Sequence, residues 1–278
     1  MPSININDAE IHYLEAGSPK DPIVLCLHGF PDTPYTWGYL MPSLVEEGWR
    51  VICPFLRGFA PTKAPVDGPC GPLALGEDAN ALHEALCGGK PGVIIGHDWG
   101  AAAAYVAASL DPDRWSVMIT SSWPPLPVFV DVASYEQMKR SWYVFMFQQK
   151  FAQKFIKQDD YALIEKLWVD WSSKGFHSKD FARLAITALK EPDCLELALN
   201  HYRSLFSDEL TGLPIPEVPM LYIHGKEDKC IGVDLMDKFN IDSSLAQGSE
   251  IYIMAQVGHF PHLEQPEIFN SEVLRALR

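Results

Sequence analysis

Two aspartates and a histidine, each just past an apolar run, are the residues with which this chain can do chemistry. Gly96-His97-Asp98-Trp99-Gly100-Ala101 follows Val93-Ile94-Ile95 and opens the alanine-rich stretch Ala101 to Leu110. Strand, sharp turn and helix form the context of a nucleophile elbow, whose central side chain projects from a strained corner. Gly96 and Gly100 let the two backbones approach. Serine is the usual occupant of such a corner and attacks carbonyl carbon. A carboxylate is instead a competent nucleophile toward saturated carbon bearing a leaving group. The aspartate therefore predicts a different reaction, not a weaker one. Alone, a G-x-D-x-G pattern arises by chance in about one chain in ten of this length, so its partners decide.

Three partners are present. His28-Gly29-Phe30-Pro31 directly follows an apolar run, and the backbone N–H of Phe30, with that of Trp99, converges on a developing oxyanion. Pro31 stiffens that turn. Gly258-His259-Phe260 follows the last apolar run and supplies a base. His28, His224 and His262 compete for that role, but order and location favour His259. His224-Gly225-Lys226-Glu227-Asp228 lies past the preceding run and supplies an acid to orient the base, with Asp228 preferred to Glu227. Nucleophile, acid and histidine then occur in the order such a site requires, each just after a strand.

The elements that must position them follow from periodicity. Strands are expected at Ile11–Leu14, Ile23–His28, Arg50–Cys53, Val93–Ile95, Val117–Thr120, Met220–His224 and Ile251–Met254. Helices are expected from Thr36 to Glu47, Leu73 to Leu86 and Ala101 to Leu110. Continuous β-branched runs between helices indicate a mostly parallel sheet covered on both faces. Trp123-Pro124-Pro125-Leu126-Pro127 interrupts this alternation, and to about Thr211 the chain reads as helical and aromatic. Pro214, Pro216 and Pro219 mark the return to strands. The division expected is a core of residues 1–123 and 215–278 with an inserted helical cap at 124–214. Some cap aromatics, such as those of Ser141–Phe147 and Leu167–Trp171, then face the gap between the layers, an apolar pocket with few polar groups.

Composition narrows the function. The 278 residues are 47% hydrophobic and 21% charged, ordinary for a soluble globular protein. A net charge of -14 argues against nucleic acid or an anionic membrane as partner. The N-terminus lacks a basic region followed by an apolar stretch, and no apolar run is long enough to span a bilayer. Six cysteines without Cys-x-x-Cys spacing read as reduced thiols of a cytoplasmic protein. Neither a metal-ligand spacing nor a phosphate loop is present, so no cofactor is expected. Oligomeric state is not legible.

Over core and cap alike, the chain resembles the α/β-hydrolase-fold epoxide hydrolases. The Gly-His-Asp-Trp-Gly elbow and the His-Gly-Phe-Pro turn match them, and also their haloalkane dehalogenase relatives. The resemblance implies two cap tyrosines that hydrogen-bond the epoxide oxygen. Asn200-His201-Tyr202-Arg203 resembles an Asn-Trp-Tyr-Arg motif and marks Tyr202; Tyr143, ahead of Phe147-Gln148, marks the second. The chemistry is sound, because a ring-opened alkoxide needs a proton donor and a phenol of pKa about 10 provides one. Phe30 and Trp99 line the substrate pocket on this reading. His201, in place of the usual tryptophan, reshapes the pocket and adds a polar group beside Tyr202. The loop Pro54–Thr62 departs from the family by lacking the acidic residue and second glycine around Arg57-Gly58. The expected substrates are an apolar, small-molecule epoxide, opened to a vicinal diol, and water. The alternative is a haloalkane or haloacid dehalogenase using the same Asp98. Against it, Phe30 stands where many such enzymes carry asparagine, no acid follows Ser121-Ser122, and Trp99 stands where fluoroacetate dehalogenases carry arginine.

Overall fold

Alternating side chains in the central strands divide the core in two. The computed structural model describes residues 1–87, 89–125, 134–207, 212–238 and 245–278. In β3 (Ile23–Leu27), Ile23, Leu25 and Leu27 enter one apolar cluster, while Val24 and Cys26 enter another on the opposite face. The two-residue period of a strand imposes that split. β4 (Arg50–Pro54) and β5 (Gly92–His97) divide likewise, with Ile52 and Ile94 on one side and Val51, Cys53, Val93 and Ile95 on the other. Each fully buried Val, Leu or Ile contributes about 1.5–3 kcal/mol, so strands covered on both faces read as unbroken apolar runs.

The remaining strands are β1 (Ser3–Ile6), β2 (Ala9–Ala16), β6 (Trp115–Ser121), β7 (Met220–Gly225) and β8 (Glu250–Met254), in the order β1-β2-β4-β3-β5-β6-β7-β8. β2 runs antiparallel to β1 and β4, and every other pairing is parallel. The register aligns Leu27 with Gly96, His97 with Ser121 and Ser121 with Ile223. The loops after these strands consequently leave from one edge of the sheet.

Helices α1 (Leu40–Glu46) and α11 (Pro266–Ala276) cover one face through Leu40, Leu44, Phe269 and Val273. Helices α2 (Gly71–Cys87) and α3 (Trp99–Leu110) cover the other. The alanines of α3 are buried around its first two turns, because it lies between the sheet and α2 and only small side chains admit both neighbours. The expected helix from Thr36 to Glu47 is instead a 3₁₀ segment, Pro34–Tyr39, followed by α1. Pro42 is the cause: it lacks an N–H and its ring would clash with the carbonyl of Gly38, so the α-helix can begin only just before it. β1 was absent from the expected strands; its four residues alternate without an apolar run.

Between β6 and β7 the chain is helical: α4 (Tyr135–Arg140), α5 (Trp142–Phe147), α6 (Ala152–Ile156), α7 (Ala162–Trp171), α8 (Lys179–Lys190) and α9 (Cys194–Ser204). Leu126 and Pro127 of the proline-rich exit, and Thr211, lie outside the described residues. A short helix, α10 (Pro261–Glu264), precedes α11. No helix among the described residues is long and apolar enough to cross a membrane. All six cysteines are free thiols.

Candidate active site

Asp98 sits at the junction of β5 and α3 with φ 52° and ψ −118°, a setting that costs a non-glycine residue about 1–3 kcal/mol. A Cβ on Gly96 would run into the Gly100 carbonyl, and one on Gly29 into the Asp98 side chain. The strained corner thus needs bare backbone on both sides. Asp98 Oδ1 accepts a hydrogen bond from the Phe30 N–H at 2.8 Å. Trp99 is the first residue of α3, and the leading N–H groups of a helix have no partner within it. The Phe30 amide therefore meets the carboxylate directly, and the Trp99 amide, next in the chain to Asp98, has no partner within its helix.

On the opposite side, His259 Nε2 stands 3.6 Å from Asp98 Oδ2. Its Nδ1–H donates to Asp228 Oδ2 at 2.8 Å. Asp228 Oδ1 in turn accepts from the Cys230 and Ile231 amides at 2.7 and 2.9 Å. Burial disfavours the imidazolium, yet the Asp228 charge outweighs it and holds His259 well above the ordinary histidine value. Burial likewise raises the Asp228 carboxyl, but the His259 charge and these hydrogen bonds bring it below the ordinary value. The His259 backbone is fixed as well: its N–H donates to Trp171 O, and its carbonyl accepts from His97 Nε2 and Ser122 Oγ.

The other histidines are committed elsewhere. His28 Nδ1–H donates to Gly29 O and Nε2 accepts from the Leu56 amide. His224 lies between the Tyr222 hydroxyl and the Ile231 carbonyl, and His262 Nε2 faces Thr36 Oγ1. Glu227 is exposed, whereas Asp228 is buried.

The helical segment brings two tyrosines over this edge. Tyr143, from α5, and Tyr202, from α9, have ring centroids 5.8 Å apart and nearly perpendicular planes. Tyr202 packs on Phe30 at 5.2 Å and Trp99 at 5.0 Å. Tyr143 packs on Trp171, which in turn lies 5.3 Å from the His259 ring. Both phenols are 1% exposed. Burial, reinforced for both by the Asp98 charge, pushes them well above the ordinary phenol value, so they remain proton donors. The segment is anchored here: Trp168 Nε1 donates to Pro31 O at 2.7 Å and its ring stacks on Phe260, while Gln148 Nε2 donates to the Tyr202 carbonyl.

His201 behaves differently from its expected part. Its Nδ1 accepts from the Gly71 amide and its Nε2–H donates to the Arg57 carbonyl. Both nitrogens are spent on backbone, and only the ring reaches the pocket side, 5.7 Å from Trp99.

Three neighbours of the site escaped sequence reasoning. Cys230 Sγ lies 3.2 Å from the Tyr143 hydroxyl, Trp171 bridges Tyr143 and His259, and Asp32 follows the His28–Pro31 turn, buried near His97 and His262. Only Asp32, directly after His28-Gly29-Phe30-Pro31, and Cys230, two residues past Asp228, carried a positional signal. Sequence spacing showed no ligand cluster, yet folding assembles two sets of three donors: Asp98, Cys230 and His259, and Asp32, His97 and His262. A cavity of about 770 Å³ also opens between Tyr35 and Phe55 on one side and Leu184 and Leu197 on the other, apart from the enclosed Asp98.

An aspartate at a strand–helix corner, a second acid and a histidine gathered at one edge of a mostly parallel sheet are the arrangement of an α/β hydrolase. The alpha/beta hydrolase family model matches residues 24–272, and the chain belongs to that family. It is similar to epoxide hydrolase 4 of Homo sapiens, at 27% identity over 99% of this chain and 78% of that protein. It is 29% identical to the AB hydrolase superfamily protein YfhM of Bacillus subtilis, over 99% and 96% of the two chains. Among solved structures, a putative epoxide hydrolase from Klebsiella pneumoniae shares the fold with a TM-score of 0.84, at 24% identity over 99% of this chain and 96% of that one.

Proposed function

We propose that the protein is an epoxide hydrolase that needs no cofactor. Asp98 Oδ2 attacks one epoxide carbon while Tyr143 and Tyr202 hydrogen-bond the ring oxygen and protonate it as the C–O bond breaks. An alkyl ester of Asp98 results. His259 then activates water for attack on the ester's carboxyl carbon, with Asp228 fixing its tautomer and the Phe30 and Trp99 amides stabilising the oxyanion. The products are a vicinal diol and the free carboxylate.

The observation that carries this reading is the pair of buried, protonated phenols beside a buried carboxylate. A departing halide needs donors but no proton, whereas an alkoxide needs both. The electrostatics also order the two half-reactions. The Asp98 carboxylate helps hold the proton on His259; once Asp98 is a neutral ester, that contribution is gone and the imidazole is freed to act as base. Similarity to epoxide hydrolase 4 of Homo sapiens supports the substrate class. The core at 1–123 and 215–278, the cap at 124–214 and a cytoplasmic location belong to the same proposal.

The test is a paired assay: diol formation from alkyl and aryl epoxides, and halide release from haloalkanes and haloacids. Diol without halide is the expected result. Halide without diol overturns it and makes the Trp99–Trp123 pair, 5.5 Å apart, the candidate halide seat.

A further inference from the structure

We propose that Asp98, Cys230 and His259 form a binding site for a soft divalent metal ion such as zinc, and that an ion held there blocks turnover. The three side chains are 1%, 0% and 0% exposed, and one donor atom of each lies within 4.8 Å of the others. His259 Nε2 has no hydrogen-bond partner among the described residues and stands 3.6 Å from Asp98 Oδ2. Tetrahedral zinc with bonds of 2.0–2.3 Å sets its ligands about 3.3–3.8 Å apart, so this edge already fits. Thiolate, imidazole and carboxylate are donors zinc accepts, and the thiolate adds preference for soft ions.

The surroundings complete the case. A metal-bound histidine is normally oriented by a partner on its other nitrogen, and Asp228 holds His259 Nδ1 at 2.8 Å. Asp228 is itself pinned by two amides. Binding needs no electron transfer: the Cys230 thiol and the His259 imidazolium each release one proton, and the ion takes their place. The net charge of ligands plus ion is then unchanged, which suits a buried site, and affinity rises with pH. The bound ion occupies the nucleophile and the base at once. Blockade of turnover rests on the epoxide reading; the site itself does not.

The test is therefore direct binding. Wild-type protein is titrated with zinc chloride by calorimetry, and with cadmium chloride while following the ultraviolet cadmium–thiolate band. One ion per chain with the band is expected. Cys230→Ser abolishes the band and weakens zinc by about 100-fold or more, beyond the typical 10- to 100-fold cost of an outer partner. His259→Gln, which keeps the thiol, weakens both ions and serves as the second variant. No binding by wild type overturns the proposal, as does a cadmium band that survives Cys230→Ser. Unchanged zinc affinity in Cys230→Ser overturns it by showing that the ion is held elsewhere, with Asp32, His97 and His262 the next donor set. Absence of diol formation with metal binding intact would count against the epoxide reading alone.

Discussion

Around His259 a carboxylate lies 2.8 Å from the imidazole and a second stands 3.6 Å away. Around His97, whose ring is 4.9 Å from that of His259 and 4.6 Å from that of His262, the hydrogen-bond partner is only a carbonyl. The same residue types meet in both places, equally buried, and titrate in opposite directions. His259 is held well above the ordinary value, whereas burial, with the His259 charge adding to it, drives His97 down to about 3. Asp228 is lowered against burial; Asp32, accepting the Thr33 amide, is pushed up by burial to about 7. Asp32 Oδ2, His97 Nδ1 and His262 Nδ1 lack hydrogen-bond partners among the described residues. Burial alone neutralises these groups; a short, hydrogen-bonded ion pair keeps them charged. Charge is therefore kept where the proposed chemistry uses it, and suppressed one layer behind.

The sharpest way to break this contrast is His259→Gln. Turnover of an epoxide is expected to fall by about 10⁴-fold or more, while Asp98 is still alkylated. Mass spectrometry after mixing then shows the enzyme heavier by one substrate. Unmodified variant protein beside an active wild type sinks the two-step scheme. Asp228→Asn leaves the imidazole in place but removes the charge that orients it; a loss of about 10³- to 10⁴-fold in kcat is expected, with the ester again accumulating.

Tyr202→Phe removes a donor from the helical side of the site. Ester formation in a single turnover should slow by about 10²-fold, the lower end for a positioned proton donor, with substrate affinity less affected. Unchanged turnover removes Tyr202 from the site. The smallest effect is expected in the neutral cluster. Between pH of about 4 and 7 the folded protein holds a proton on Asp32 that the unfolded chain has lost, so this group withdraws stability as pH rises across that window. Asp32→Asn stays neutral throughout. Thermal melts should show it gaining on wild type by more at pH 8 than at pH 4.5, by on the order of 3 kcal/mol. An equal shift at both pH values would show that Asp32 is ionised in the folded protein, as Asp228 is.

That Asp98, Asp228 and His259 meet at one edge of the sheet was legible because each lies shortly after an apolar strand and within three residues of a glycine, signals that are local in sequence. The central strands were legible for the same reason, with boundaries off by a residue or two. Tyr143 and Tyr202 were reached through family resemblance, since nothing local distinguishes them from the other aromatics of α5 and α9. The contacts that Cys230 and Trp171 make were not legible. Their importance lies in meeting Tyr143 and His259, residues that are remote in sequence, and such encounters are decided by how the helical segment docks. His201 was misjudged in the same way: its motif was visible, but the Gly71 and Arg57 backbone groups that consume its nitrogens were not.

The hydrogen bond from Phe30 makes the two oxygens of Asp98 unequal. Oδ1 is already seated on its donor, so in the proposed mechanism attack by Oδ2 leaves Oδ1 as the ester carbonyl without any movement. Cleavage at the carboxyl carbon then hands Oδ2 to the product, and an oxygen from solvent takes its place on the protein. In water enriched with heavy oxygen, the first diol released by each molecule is light. The label enters Asp98 one turnover before it enters the product.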